Sequence, residues 1–134
     1  MFDSMFSSVS ALEKGLDACT LRNKVIANNI ANADTPGFKT SSVKFEEYVQ
    51  TAIEDAQNGT GLKKSGRSKT DAVLDGVEPQ VVANSDTSMR MDQNNVDVEY
   101  EMNELAKNNI EYYALLEKVN SEFSQLRTAI TESR

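Results

Sequence analysis

The side chains able to do chemistry in this chain are nearly all carboxylates. Twenty-one Asp and Glu stand against fourteen Lys and Arg, with one cysteine and no histidine. Without histidine the commonest general base and metal ligand is missing, and Cys19 has no imidazole to take its proton. Paired carboxylates could in principle run a hydrolysis. Here they are spread along exposed helical faces, with no apolar pocket to shift their pKa values. Asp92-x-Asn94 opens like a calcium loop, but Val96 stands where Asp or Asn is wanted and Asp97 where glycine is needed. No glycine-rich loop opens a helix to cradle phosphate. Thus no catalytic, cofactor-binding or metal-ligating set is expected. The net charge of −7 argues against a nucleic-acid partner, which needs clustered Lys and Arg. The short basic run Lys63, Lys64, Arg67 and Lys69 reads as a solvated loop. Asn58-Gly59-Thr60 fits a glycosylation sequon, but Asn-Gly is first a turn signal.

What remains is amide chemistry. The stretch Ala27-Asn28-Asn29-Ile30-Ala31-Asn32-Ala33-Asp34-Thr35-Pro36-Gly37-Phe38-Lys39 sets three asparagines among three alanines at the end of a helical pattern. Small residues let another backbone approach, and each asparagine offers a donor and an acceptor across the contact. Pro36 biases Thr35 toward an extended conformation, and Pro-Gly suits the central positions of a type II turn. The stretch reads as a helix end built for contact.

Two long elements must position it. Over residues 2–33, Phe2, Met5, Val9, Leu12, Leu16, Cys19, Asn23, Ile26 and Ile30 recur at alternating steps of three and four, a heptad seam. At ~1.5 Å per residue this helix is roughly 48 Å long. Gly15, inside it, should cost about 1 kcal/mol relative to alanine. Cys19 lies on the seam as a small core hydrophobe. Residues 97–131 repeat the pattern with Val98, Met102, Leu105, Asn109, Tyr112, Leu116, Val119, Phe123, Leu126 and Ile130. Packed antiparallel, the two seams align with Phe2 on Ile130, Leu16 on Leu116 and Ile30 on Met102. That alignment sets Asn23 against Asn109, each amide satisfying the other and fixing the register. Residues 97–122 hold seven acids against two lysines, a charge that lies mostly off the seam.

Between them, Phe45, Tyr48, Val49, Ala52 and Ile53 predict a short amphipathic helix capped by Ser42. Four of the six glycines fall between Gly59 and Gly76. Short alternations at Val77–Val82 and Ser88–Met91 suggest a small hairpin. The expected organisation is a seam helix over 1–33, a turn and short helix over 34–57, a flexible or small β segment over 58–96, and a second seam helix over 97–134. The fold class is mainly α. Long terminal helices form an antiparallel coiled-coil-like pair, and the middle is glycine-rich, partly β or irregular. No run approaches the ~20 apolar residues that span a membrane, and the N-terminus lacks the pattern of a cleavable signal peptide.

The stretch Ala27–Lys39 resembles the N-terminal signature of the bacterial flagellar rod, hook and hook-associated proteins, Ala-Asn-Asn-(Leu/Ile)-Ala-Asn-x-x-Thr-x-Gly-(Phe/Tyr)-(Lys/Arg). Every fixed position is met. The wording Asp34-Thr35-Pro36-Gly37, and Asn94-Asn95-Val96-Asp97-Val98-Glu99 before a long helix, look most like the proximal rod members. The resemblance covers residues 1–57 and 92–131. It implies a structural subunit of the proximal rod of the flagellar basal body, polymerising through its terminal helices as part of the drive shaft and export tube. The implied assembly signature is Ala27, Asn28, Asn29, Ile30, Ala31, Asn32, Thr35, Pro36, Gly37, Phe38 and Lys39. The implied partners are copies of itself in a helical assembly, other flagellar rod proteins, the membrane-ring protein and the small basal adaptor protein. It also implies export through the flagellar type III apparatus without a cleavable signal. Without the resemblance the seams alone fit a soluble helical-hairpin adaptor or export chaperone that binds a partner helix.

Overall fold

A computed structural model describes residues 2–57, 76–84, 91 and 93–132. Helix α1 spans Phe2–Ala31, strand β1 Ser41–Lys44, helix α2 Glu46–Gln57, strand β2 Gln80–Ala83 and helix α3 Val98–Glu132. The fold is mainly helical, with a single two-stranded antiparallel sheet among the described residues. The basic run 63–69, the sequon at 58–60 and residues 88–90 lie outside the described residues.

Helices α1 and α3 pack antiparallel. Asn29 meets Glu101 near one end, Asn23 meets Asn108 midway, and Gly15 faces Leu115 further along. On α1 the inward face follows the heptad seam: Cys19 and Ile26 are buried, and Val9, Leu12, Leu16, Asn23 and Ile30 are half-buried. On α3 it does not. The inward columns are Leu105, Tyr112, Val119 and Leu126, together with Glu101, Asn108, Leu115 and Glu122. Val98, Met102, Leu116, Phe123 and Ile130, expected on the seam, are exposed, as is Asn109. Relative to the expected seam the helix is turned by about 50° around its axis, since each residue advances by about 100°. Two contacts fix that rotation. Asn108, not Asn109, reaches Asn23, and Gly15 gives room to Leu115, whose Cδ1 lies 3.3 Å from where a Cβ would stand.

That close approach explains the glycine. Gly15→Ala gains helix propensity and needs only a small shift of the end of a flexible Leu115 side chain, so its stability should stay within about 1 kcal/mol of the parent. Gly15→Leu must wedge the helices apart and should lose about 2 kcal/mol. Urea midpoints of the two variants provide the check, and equal midpoints would remove the packing role assigned to this glycine.

Asp97 starts α3 as its cap, its Oδ1 accepting from the Glu99 and Tyr100 amides at 3.0 and 3.2 Å. Helix α2 packs on α1 through a small core of Ala18, Phe45 and Val77, with Val49 and Ala52 against it. Lys14 Nζ adds a bond to the Val77 carbonyl at 3.2 Å.

The sheet adds a pairing that the alternating pattern does not specify. Strand β2 pairs with β1, Ser41 opposite Ala83 and Lys44 opposite Gln80, and the suggested second strand at 88–91 falls mostly outside the described residues. Pro79 lacks an N–H, so the ladder begins at Gln80 rather than at Val77. Ser42 is a strand residue, not the cap of α2, which begins at Glu46. The backbone of 41–44 is recruited into the ribbon, and α2 starts with Glu46 and Glu47 in its first turn, where acids complement the dipole.

Candidate functional site

Four of the most deeply buried polar side chains in the described chain are asparagines: Asn29, Asn94, Asn95 and Asn108. A buried amide must satisfy both ends, and each of these uses them to tie different parts of the chain together. Asn29, 1% exposed, treats Ser41 as a strand neighbour would. Its Nδ2 donates to the Ser41 carbonyl at 2.8 Å, and its Oδ1 accepts the Ser41 N–H at 3.0 Å. The same Nδ2 reaches Glu101 Oε1 at 3.1 Å, so one side chain joins α1, β1 and α3.

Asn94 is fully buried. Its Nδ2 lies 3.1, 2.9 and 2.9 Å from the carbonyl oxygens of Asn32, Ala33 and Thr35, and its Oδ1 accepts the Val96 amide at 2.7 Å. These carbonyls belong to the end of α1 and the turn beyond it, the groups a helix C-terminus leaves without intrahelical donors. Gln93 precedes it with φ 66°, outside the range most side chains adopt. Asn95 closes the ribbon. Its Oδ1 accepts from Thr40 N at 2.7 Å, and its Nδ2 donates to the Asn84 carbonyl at 2.9 Å. Further along, Asn108 Nδ2 donates to the Cys19 carbonyl and to Asn23 Oδ1 at 2.9 and 2.8 Å, while its Oδ1 accepts from Arg22 at 3.2 Å. Arg22 also pairs with Glu46 and Glu111, fastening α2 and α3 to α1.

The structure divides the signature between inside and outside. Asn29 is buried, Ile30, Phe38 and Lys39 are half-buried, and Asn32 is half-buried as a helix-end cap. Its Nδ2 donates to the Asn28 carbonyl at 2.8 Å, and its Oδ1 accepts from Thr35 Oγ1 at 3.2 Å. Ala27, Asn28, Ala31, Thr35, Pro36 and Gly37 are exposed. Gly37 has φ 73° and the Phe38 amide donates to the Thr35 carbonyl at 3.3 Å, as the second central residue of a type II turn requires. The space around its missing Cβ is open, so the need for glycine is conformational.

The electrostatics follow burial and pairing. Burial raises the Glu101 carboxyl above its ordinary range. The Asn29 bond pulls it back in part, while Glu104 and Asp97 push it further up. Burial would raise Glu46 too, but the hydrogen bond and charge of Arg22 outweigh it and hold that carboxyl low. The Cys19 thiol is raised, chiefly by burial and next by Glu111. Among the described residues no cluster of three or more His, Cys, Asp or Glu could hold a metal ion.

Against this geometry the comparisons are specific. Residues 10–39, the seam of α1 together with the signature, match the family of flagella basal body rod proteins. The chain is 38% identical to the flagellar basal body rod protein FlgB of Bacillus subtilis over 133 residues, 96% of this chain and 97% of that protein. The chain belongs to the flagellar basal body rod protein family. Relatives of the same name occur in Borrelia hermsii, 38% identical over 78% of this chain and 82% of the relative, and in Aeromonas hydrophila, 36% identical over 81% of each. The rod protein is structural rather than enzymatic, and its place is the basal body of the flagellum. No described helix is long and apolar enough to cross a membrane.

For a rod protein the informative residues extend beyond the signature. Asn94, Asn95, Asn108, Arg22 and Glu101 hold its shape, and sequence reasoning passed over their roles. In the sequence Asn94 stands out only as a calcium-loop position and as part of the resemblance. A usable signal was present in the doublets Asn28-Asn29, Asn94-Asn95 and Asn108-Asn109. Adjacent amides on a helix point about 100° apart, and in the two helical doublets one amide faces in and one faces out.

Proposed function

We propose that this rod protein is a subunit of the proximal rod that polymerises through its terminal helices, forming part of the drive shaft and the export tube. The observation that carries this reading is the outer column of α3. Met102, Leu116, Phe123 and Ile130 are exposed at 56%, 38%, 54% and 65%, with Asn109 completing a strict seven-residue spacing. A heptad column outside the α1–α3 contact is a second seam awaiting another helix. In a heterologous, open-ended assembly each copy can cover that seam on its neighbour. The exposed half of the signature, Ala27, Asn28, Ala31 and the turn at 35–37, serves as a contact edge in the same assembly. Other rod proteins, the membrane-ring protein and the small basal adaptor protein are the partners this position implies.

The test is the double variant Met102→Glu, Phe123→Glu in a strain whose only copy of the protein carries it. Both positions are exposed, so the isolated chain should lose less than about 1 kcal/mol. Charges buried at an interface are costly, so the variant should be exported yet absent from purified basal bodies, and the cells non-motile. Normal swimming would reject the outer column as an assembly seam.

A further inference from the structure

We propose that Asn94 is the positioning residue of the signature edge, so that the contact surface on the N-terminal half exists only once the segment 94–96 of the C-terminal half has docked. The inference rests on the reading of the signature as an assembly contact and says what controls it.

The local bonds of the turn are few. The Thr35 amide donates to the Asn32 carbonyl at 3.0 Å, the Phe38 amide to the Thr35 carbonyl at 3.3 Å, and the Asn32 side chain reaches back to Asn28. What sets the turn apart is that the Asn32, Ala33 and Thr35 carbonyls converge on one point. Convergent carbonyl dipoles repel, and buried carbonyls need donors. The donor at that point comes from about sixty residues away in sequence. Asn94 carries two N–H protons for the three oxygens, fully buried, and its own direction is fixed by the bond from Val96 N to its Oδ1. Val96 and Ala33 are buried beside it, and Asn95 secures Thr40 beyond the turn. Without this plug the convergence of the three oxygens loses the donor they share, and the exposed Thr35, Pro36 and Gly37 keep only the local bonds of the turn to hold their shape against the rest of the fold. A chain whose two halves are apart thus lacks the edge, and closing the subunit creates it. Premature association of extended chains through this surface is excluded by the same requirement.

The experiment compares Asn94→Ala, Asn94→Ser and Val77→Ala, with Asn28→Leu as a test of the underlying contact. Amide exchange is followed at residues 33–40 and at 15–23 in the purified chain. Incorporation into basal bodies is followed in a strain lacking the native copy. Asn94→Ala should lose at least tenfold protection at 33–40, keep it at 15–23, and fail to incorporate. Asn94→Ser retains one donor and should fall between it and the parent in both readouts. It decides the matter if Asn94→Ala does not fold. Val77→Ala loosens the small core on α1 without touching the signature turn or the outer column of α3 and should still incorporate, a result that general loss of stability would not give. The proposal fails if protection at 33–40 survives in the Asn94 variants, or is lost while incorporation is normal. Normal incorporation of Asn28→Leu, with turn protection intact, overturns instead the reading of the signature as a contact.

Discussion

Asn29→Asp should remove a large share of the stability of the isolated chain at neutral pH, about 3–5 kcal/mol against the 5–15 typical of a small domain. The change is nearly isosteric, so the loss is electronic rather than steric. Asn29 Nδ2 donates to both the Ser41 carbonyl and Glu101 Oε1. A carboxylate there offers no donor to either and sets a second negative charge beside a buried one. The pH dependence follows with a definite sign. Glu101 already has a folded-state pKa above its ordinary 4.5. Its protonated form therefore supports the fold fully below that value, and the support is lost as pH rises through the raised pKa. Asn29→Asp deletes the bond that pulls Glu101 down and adds a carboxylate that pushes it up. The loss thus runs on from the ordinary value to a higher raised pKa and becomes larger. Urea midpoints at pH 5 and pH 7.5 should show the gap between variant and parent narrowing at the lower pH. Asn28→Asp, one residue away on the exposed face, should lose less than about 1 kcal/mol at either pH. A deficit in Asn29→Asp that does not change with pH would mean that Glu101 is not the group responsible.

The contrast between Asn28 and Asn29 shows where the sequence was readable and where it was not. The two long helices were legible because unbroken three-four spacing has few other interpretations, and the Pro36-Gly37 turn because its chemistry is local. The signature told of contact, but not that half of it contacts its own chain. Which amide of a doublet turns inward depends on partners distant in sequence, such as Ser41 for Asn29 and Cys19 for Asn108. No periodicity encodes them. The pairing of β1 with β2 was hidden for the same reason. It is fixed by Asn95 bonding to both Thr40 and Asn84, and the two paired strands lie far apart in sequence. The seam of α3 was misread because the helix is apolar on more than one side. A rule that assigns large hydrophobic residues to a single buried face then selects a direction between the face that meets α1 and the face that remains outside.

That misreading yields a sharp expected result. Asn108→Ala should lose about 2–4 kcal/mol, since it removes the side-chain donor to the Cys19 carbonyl, leaves the Asn23 side chain without that donor at a largely buried contact and removes an acceptor from Arg22. Asn109→Ala should be neutral or stabilising by a few tenths of a kcal/mol, because an exposed asparagine is a poorer helix former than alanine. Heptad spacing alone gives the opposite ranking, with Asn109 paired to Asn23 and Asn108 on the flank. A double-mutant cycle separates the two arrangements. Combined with Asn23→Ala, Asn108→Ala should show a coupling of about 0.5–3 kcal/mol, whereas Asn109→Ala should add independently. A larger coupling to Asn109 would mean that α3 in solution turns its other apolar column toward α1. The outer column would then be Glu101, Asn108, Leu115 and Glu122, too polar to form an assembly seam. The rotation of this helix thus decides both how the subunit holds together and which surface it has left to offer its neighbours.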